Sequence, residues 1–238
     1  MTLYLCHINI RSLLANFSDF IDHINDCDYD IIGLSETWLR NNIDNAQIHI
    51  NNFNFIRLDR INGRGGGVGI FIKQNINFEI LYSACLDFVE YIWIKFKVQN
   101  KVVILGNIYR PPSADLNLFL NHIEDTIINI YAEYDNIICF GDFNINLLES
   151  TRWGEQLESI MDTFNLKQLV LEPTRLSIHS ATLIDLIFTN MKEEVVQSGV
   201  HNIQISDHFP VYLKMQLSPE RQQGAVQFNC TMHIFAIK

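Results

Sequence analysis

Between residues 53 and 109 the apolar side chains fall into five short runs (53–58, 68–73, 78–82, 91–98 and 101–109) with no interval long enough for a helix. In the fourth run Ile92, Ile94, Phe96 and Val98 alternate with Trp93, Lys95 and Lys97, the period of two that puts one face of a strand in a core. Gln99-Asn100 is a hairpin turn between the last two runs. On either side the period changes. Residues 3–10 and 30–36 are strand-like, and between them Leu13/Leu14, Phe17, Phe20/Ile21 and Ile24 recur at helical spacing, with Ser12 in the N-cap position and Asp19, Asp22 and Asp26 on the other face. Pro111-Pro112 stops the last run, and Leu116, Phe119/Leu120, Ile123, Ile127 and Ile130/Tyr131 predict a second helix. A buried strand at 137–140 then ends at Gly141-Asp142, and Leu157, Ile160/Met161 and Phe164 mark a third helix. Strands at 184–189, within 195–205 and at 209–217 close the pattern. The expectation is an α/β fold in which mixed sheets are covered by helices. It occupies residues 1–217, with a poorly structured tail at 218–238 that opens on Ser218-Pro219-Glu220-Arg221.

A chain of 238 residues that is 48% hydrophobic can bury a sizeable core, yet charges interrupt its apolar runs well before the ~18 residues that a membrane span needs. No membrane partner is expected. The first residues carry neither a basic region nor a cleavage site, and Cys6, Cys27, Cys85, Cys139 and Cys230 form no close pair. Both point to a reducing, intracellular setting. Residues 1–110 carry 10 basic and 11 acidic groups, against 7 and 16 in 111–238. Such acidity excludes a protein that coats nucleic acid by bulk charge, while leaving room for one face that binds it.

Five of the eleven glycines lie at Gly63, Gly65, Gly66, Gly67 and Gly69. They lack the Gly-Lys-Ser/Thr ending of a phosphate loop and lead into a strand, so they read as a tight strand entry. The chemistry collects at other strand ends: Asn9, Glu36, Tyr109, Asp142, Asn144, Asp185 and Asp207-His208. Each alone has an ordinary structural use, as a cap, a turn or a core histidine. Together on one sheet-end rim they offer hard oxygen ligands and titratable partners.

Six segments carry a resemblance, in order: Cys6-His7-Ile8-Asn9-Ile10-Arg11-Ser12-Leu13, Leu34-Ser35-Glu36-Thr37-Trp38-Leu39, Ile108-Tyr109-Arg110-Pro111-Pro112, Gly141-Asp142-Phe143-Asn144, Ile184-Asp185-Leu186-Ile187-Phe188-Thr189 and Ser206-Asp207-His208-Phe209-Pro210-Val211. Over about residues 3–217 the chain resembles the endonuclease/exonuclease/phosphatase superfamily. More narrowly it resembles the apurinic-type endonuclease domain of non-LTR (LINE-like) retrotransposons, to which Arg64-Gly65-Gly66-Gly67-Val68-Gly69 and Glu172-Pro173-Thr174-Arg175 are also similar. The resemblance implies a four-layer sandwich of two mixed β-sheets flanked by α-helices. It also implies an Mg²⁺-dependent enzyme, with Mn²⁺ as the alternative ion, that nicks one DNA strand to leave a 3′-hydroxyl. A reverse transcriptase domain absent from this chain is the implied partner, and the nucleus the place of action, although no import signal is visible.

Within that frame Glu36 and Asn9 would hold the metal, with Asp207 serving the same region. Asp185 would orient His208 and favour its imidazolium. Asp142 would activate water and Asn144 orient it, the general base staying open between Asp142 and the Asp185–His208 pair. Tyr109 would place a phenol on the phosphate, and Arg110 and Arg11 would contact substrate. Arg11 stands where repair-type relatives carry a carboxylate, which speaks against a second metal and against abasic-site repair. The alternatives are a relative acting on RNA or a phosphoinositide, and an inactive remnant; the full residue set argues against the latter.

Overall fold

The computed structural model describes residues 1–61, 63–178 and 180–217; the expected tail at 218–238 lies outside the described residues. An opening unit of β1 (Thr2–Asn9), α1 (Phe17–Asp26) and β2 (Ile31–Ser35) is followed by β3 (Phe53–Leu58), β4 (Val68–Lys73), β5 (Phe78–Leu86), β6 (Val89–Val98) and β7 (Lys101–Tyr109). Then come α2 (Leu116–Tyr131), β8 (Ile137–Asp142), α3 (Arg152–Thr163), β9 (Lys167–Gln168), β10 (Arg175–Leu176), β11 (Ala181–Thr182), β12 (Asp185–Thr189), β13 (Val195–Val200) and β14 (Val211–Gln216). The strands build two six-stranded mixed sheets, ordered β13-β14-β1-β2-β4-β3 and β5-β6-β7-β8-β12-β9, with β10-β11 as a separate hairpin. Each sheet contains one parallel pair, β1/β2 and β7/β8. A parallel pair needs a crossover, and α1 and α2 supply it.

Alternation along the strands sorts side chains into layers. In β1, Leu3 and Leu5 enter the main core, while Cys6 and Ile8 join Phe20 and Ile24 of α1 on the outer face of the first sheet. Phe119, Ile123 and Ile127 of α2 and Leu157 and Met161 of α3 cover the outer face of the second. The result is the four-layer α/β sandwich expected. Asn107 of β7 links the two sheets, its amide donating to the carbonyls of Leu34 (2.9 Å) and Gly69 (2.9 Å). At Gly141 the backbones of β7 and β8 run so close that a Cβ would lie 1.8 Å from the Ile108 carbonyl oxygen.

The α1 boundary differs from the sequence reading. Leu13 is buried, but its N–H bonds the Thr37 carbonyl (2.9 Å), so it belongs to a loop laid against the second strand end. Ser12 accepts from Ala15 N (3.3 Å) and caps that turn, five residues before the helix begins. The expected acidic face is present, with Asp19, Asp22 and Asp26 exposed. Gly65, Gly66 and Gly67 all have positive φ (80°, 70° and 88°) and form the tight entry to β4. Cys6, Cys27, Cys85 and Cys139 are free. Among the described residues no helix is long and apolar enough to cross a membrane.

Candidate active site

β1, β2, β7 and β8 finish at the same end of the sandwich, where β12 starts and the segment before β14 returns. The register pairs Asn9 with Ser35, Tyr109 with Asp142, and Asp185 with Asp142. These pairings collect the motif residues at one rim. Asp142 is its centre and fully buried. Its Oδ2 accepts from Asn9 Nδ2 (2.8 Å) and Asn144 Nδ2 (3.2 Å), and its Oδ1 from the Asn144 N–H (2.9 Å). Asn144 curls back over Asp142 because its backbone is left-handed, at φ 49°, a conformation that asparagine tolerates. Burial, and then the neighbouring Asp185 carboxylate, push Asp142 up to about 7, against the opposing pull of His208 and the donors just named.

His208 Nδ1–H donates to Asp185 Oδ2 at 2.7 Å. Burial disfavours a charged imidazole, but the charge and hydrogen bond of Asp185 outweigh it and hold His208 up at about 9. Behind this pair sits His7, fully buried, with Nδ1 3.7 Å from Asp185 Oδ1 and, among the described residues, no hydrogen-bond partner for either ring nitrogen. Burial lowers His7 to about 4, so it is neutral, and among the described residues His208 is the cation that Asp185 faces. Asp185 is fixed from its main chain as well, where Thr174 Oγ1 accepts from Asp185 N (3.0 Å) and Ile184 N (3.2 Å). Ser206 Oγ accepts from His208 N (3.0 Å) and donates to the Asn9 carbonyl (2.6 Å), tying the histidine to β1.

Glu36 accepts from Asn9 Nδ2 (3.1 Å) on one carboxylate oxygen and from Trp38 Nε1 (3.1 Å) on the other. Tyr109 is buried, and that burial, followed by the charges of Glu36 and Asp142, drives its phenol far above the ordinary range; it remains a proton donor. Above these groups opens a cavity of about 580 Å³ whose lining includes Glu36, Tyr109, Asn144 and His208 together with Arg11, Arg60, Arg64 and Arg175. Four guanidiniums thus ring an acidic floor on a chain of net charge −10.

Three residues given roles above have contacts that the sequence did not show. Arg110 is 3% exposed, and its guanidinium donates to the carbonyls of Phe143, Pro111, Ala114 and Asn144, so it braces the loops and meets no substrate. Asn9 turns its amide nitrogen toward Glu36 and Asp142, spacing the two carboxylates, while its oxygen accepts from Arg11 N (3.3 Å). Asp207 faces Arg11 (3.0 Å) and Arg175 (2.7 Å), two partners that the sequence did not pair with it. Sequence reasoning assigned no role to Arg60, Arg64, Arg175, Thr174 or His7. Thr174-Arg175 and Arg64 stood in quoted motifs, and His7 in the first of them; Arg60 gave no signal.

The profile of the Endonuclease/Exonuclease/phosphatase family matches residues 6–208. The chain belongs to this family. Its fold is similar to that of the endonuclease domain of TRAS1, a telomere-specific non-LTR retrotransposon, at TM-score 0.75 and 12% identity over 91% of this chain and 99% of that one. It is similar to the AP endonuclease LMAP from Leishmania major at TM-score 0.77 and 12% identity, over 91% and 88%. The 3′ phosphatase NExo from Neisseria, bound to product DNA hairpin, aligns at TM-score 0.69 and 14% identity over 90% and 100%. No curated protein sequence matches the chain.

Proposed function

We propose that this family member is a divalent-metal-dependent DNA endonuclease that hydrolyses one phosphodiester of a duplex and leaves a 3′-hydroxyl, as in retrotransposon target-site cleavage. The observation that carries the reading is the convergence of buried Asp142 and the Asp185–His208 pair, their ligating atoms all within 4.8 Å of one another, beneath an arginine-ringed cavity. Asp142, held up by burial, is the group suited to accept a proton from an attacking water. Asn144, fixed over it, orients that water. His208, kept charged by Asp185, donates to a non-bridging phosphate oxygen, and Tyr109 offers a second donor that stays protonated.

The donor set also fits the metal that the family implies. The Asp142, Asp185 and His208 group is a poor cation site, because its histidine is itself the cation. Glu36 lines the cavity and each of its oxygens keeps acceptor capacity beyond the one donor it meets, so Glu36 would hold a hard ion such as Mg²⁺. Bound there, the ion would offset charge developing on the phosphate and the leaving oxygen. An enzyme of this kind acts where chromosomal DNA lies, in the nucleus.

The test is supercoiled plasmid with purified protein and Mg²⁺, with EDTA and His208→Ala as controls. Metal-dependent conversion to open circle that the variant loses is expected. Intact plasmid, together with phosphate released from a 3′-phosphorylated oligonucleotide, would replace the endonuclease reading with a phosphatase one.

A further inference from the structure

We propose that Arg11 and Arg175, held side by side by the carboxylate of Asp207, form a clamp for a backbone phosphate of the substrate next to His208, and that Asp207 is a positioning residue for them. The inference rests on the nucleic-acid reading of the site. Asp207 Oδ1 lies 3.0 Å from Arg11 Nη1, and its Oδ2 accepts from Arg175 Nε (3.0 Å) and Nη2 (2.7 Å). One carboxylate between two guanidiniums leaves the trio a net positive charge, matching the single negative charge of a phosphodiester. Each guanidinium has five N–H donors in a planar fork, and the contacts to Asp207 leave donors on both. Both arginines line the cavity that His208 lines, and their side chains are 48% and 44% accessible against 28% for Asp207. The carboxylate is therefore the better-covered member and the cations face the solvent.

The backbone on both sides is built to hold this arrangement. Arg11 and Ser12 are left-handed, at φ 42° and 83°, without being glycine. Strain of that kind persists where the surroundings enforce it. Here Ser12 N bonds the Glu36 carbonyl (2.9 Å) and Leu13 N the Thr37 carbonyl (2.9 Å), so the bend that carries Arg11 is locked to the segment that carries Glu36. Arg175 opens β10 and forms a bridge with His208 itself, while Phe209 N bonds the Thr174 carbonyl at 2.7 Å. Both arginines are thereby fixed relative to the imidazole that would contact the scissile phosphate. A cation pair at Asp207 also opposes a divalent ion at the same carboxylate, which separates this role from metal binding.

The experiment uses the whole chain and a labelled DNA duplex, in EDTA so that it is not cut, with binding followed by fluorescence anisotropy over a range of NaCl. Arg11→Ala and Arg175→Ala are each expected to flatten the log–log salt dependence by about 0.9 and to weaken binding several-fold at low salt, as loss of one phosphate contact does. The lysine variants at the same positions are expected to restore the slope, which separates lost contact from lost fold. In plasmid nicking, Asp207→Asn is expected to lower kcat about tenfold through looser positioning while leaving the Mg²⁺ concentration for half-maximal rate unchanged. Unchanged salt slopes in both alanine variants, or a large rise in the Mg²⁺ requirement of Asp207→Asn, overturn the clamp. A wild-type chain that binds the duplex and never nicks it removes the endonuclease reading, and the salt slopes still decide the clamp.

Discussion

The imidazole of His208 keeps its charge to about pH 9, well above a free histidine near 6.5, because Asp185 faces it from 2.7 Å in a buried setting. A folded-state value above the unfolded one means that the imidazolium–carboxylate pair stabilises the fold fully below about pH 6.5, and that this contribution disappears as pH rises through about 9. The difference is on the order of 3 kcal/mol, a fall of several degrees in Tm for a domain of this size. Asp142 acts in the same direction over a lower window, since its raised value makes its ionisation up to about pH 7 unfavourable to the fold. In EDTA, Tm should therefore fall between pH 6.5 and 9, and His208→Gln should flatten that limb, while the lower one moves to higher pH because the imidazolium no longer holds Asp142 down. A variant that falls as steeply as wild type would mean that His208 does not carry the charge. The motif residues were legible individually because each sits in a short ordered segment. Arg110 was not, since its direction is set by four carbonyls, two of them supplied by Phe143 and Asn144 more than thirty positions away. Asp207 was not either, because Arg175 lies 32 positions away.

Strands and helices announced themselves where apolar residues kept a period. β3, β4, β7 and α2 have the limits that alternation or helical spacing gave, since each lays a periodic set of apolar side chains against a core. The β10–β11 hairpin is different. Its strands are two residues each and largely exposed, so no hydrophobic pattern marks them. Yet this hairpin follows Thr174, whose hydroxyl receives the N–H groups of Ile184 and Asp185 at the start of β12. Thr174→Val keeps the shape and removes the acceptor, leaving two buried donors unmet. A loss of about 2 kcal/mol is expected, with a drop in nicking larger than that stability loss explains, because Asp185 is the group set free. Thermal unfolding and plasmid nicking on the same sample read both; an unperturbed rate would show that Asp185 is held by His208 alone.

The two sheets share one continuous core, to which Leu3, Ile31 and Ile70 contribute from the first sheet and Ile94, Leu105 and Phe140 from the second, and Asn107 crosses between them. Unfolding of residues 1–217 should then be a single transition by both far-UV and tryptophan signals, Trp93 being buried in the second sheet. Asn107→Leu should lower the unfolding free energy by about 1–3 kcal/mol, moving the transition without splitting it. Two separated transitions would mean that the sheets are independent units. One pairing in this architecture also governs time. β1 lies between β2 and β14, and the Ser206 hydroxyl reaches the Asn9 carbonyl across 197 positions of chain. Contacts of such separation form late. Among the described strands β1 emerges first and β14 last, so during synthesis β1 waits with one edge unpaired, and the rim that joins Asn9 to Ser206 and His208 is incomplete until the segment before β14 arrives.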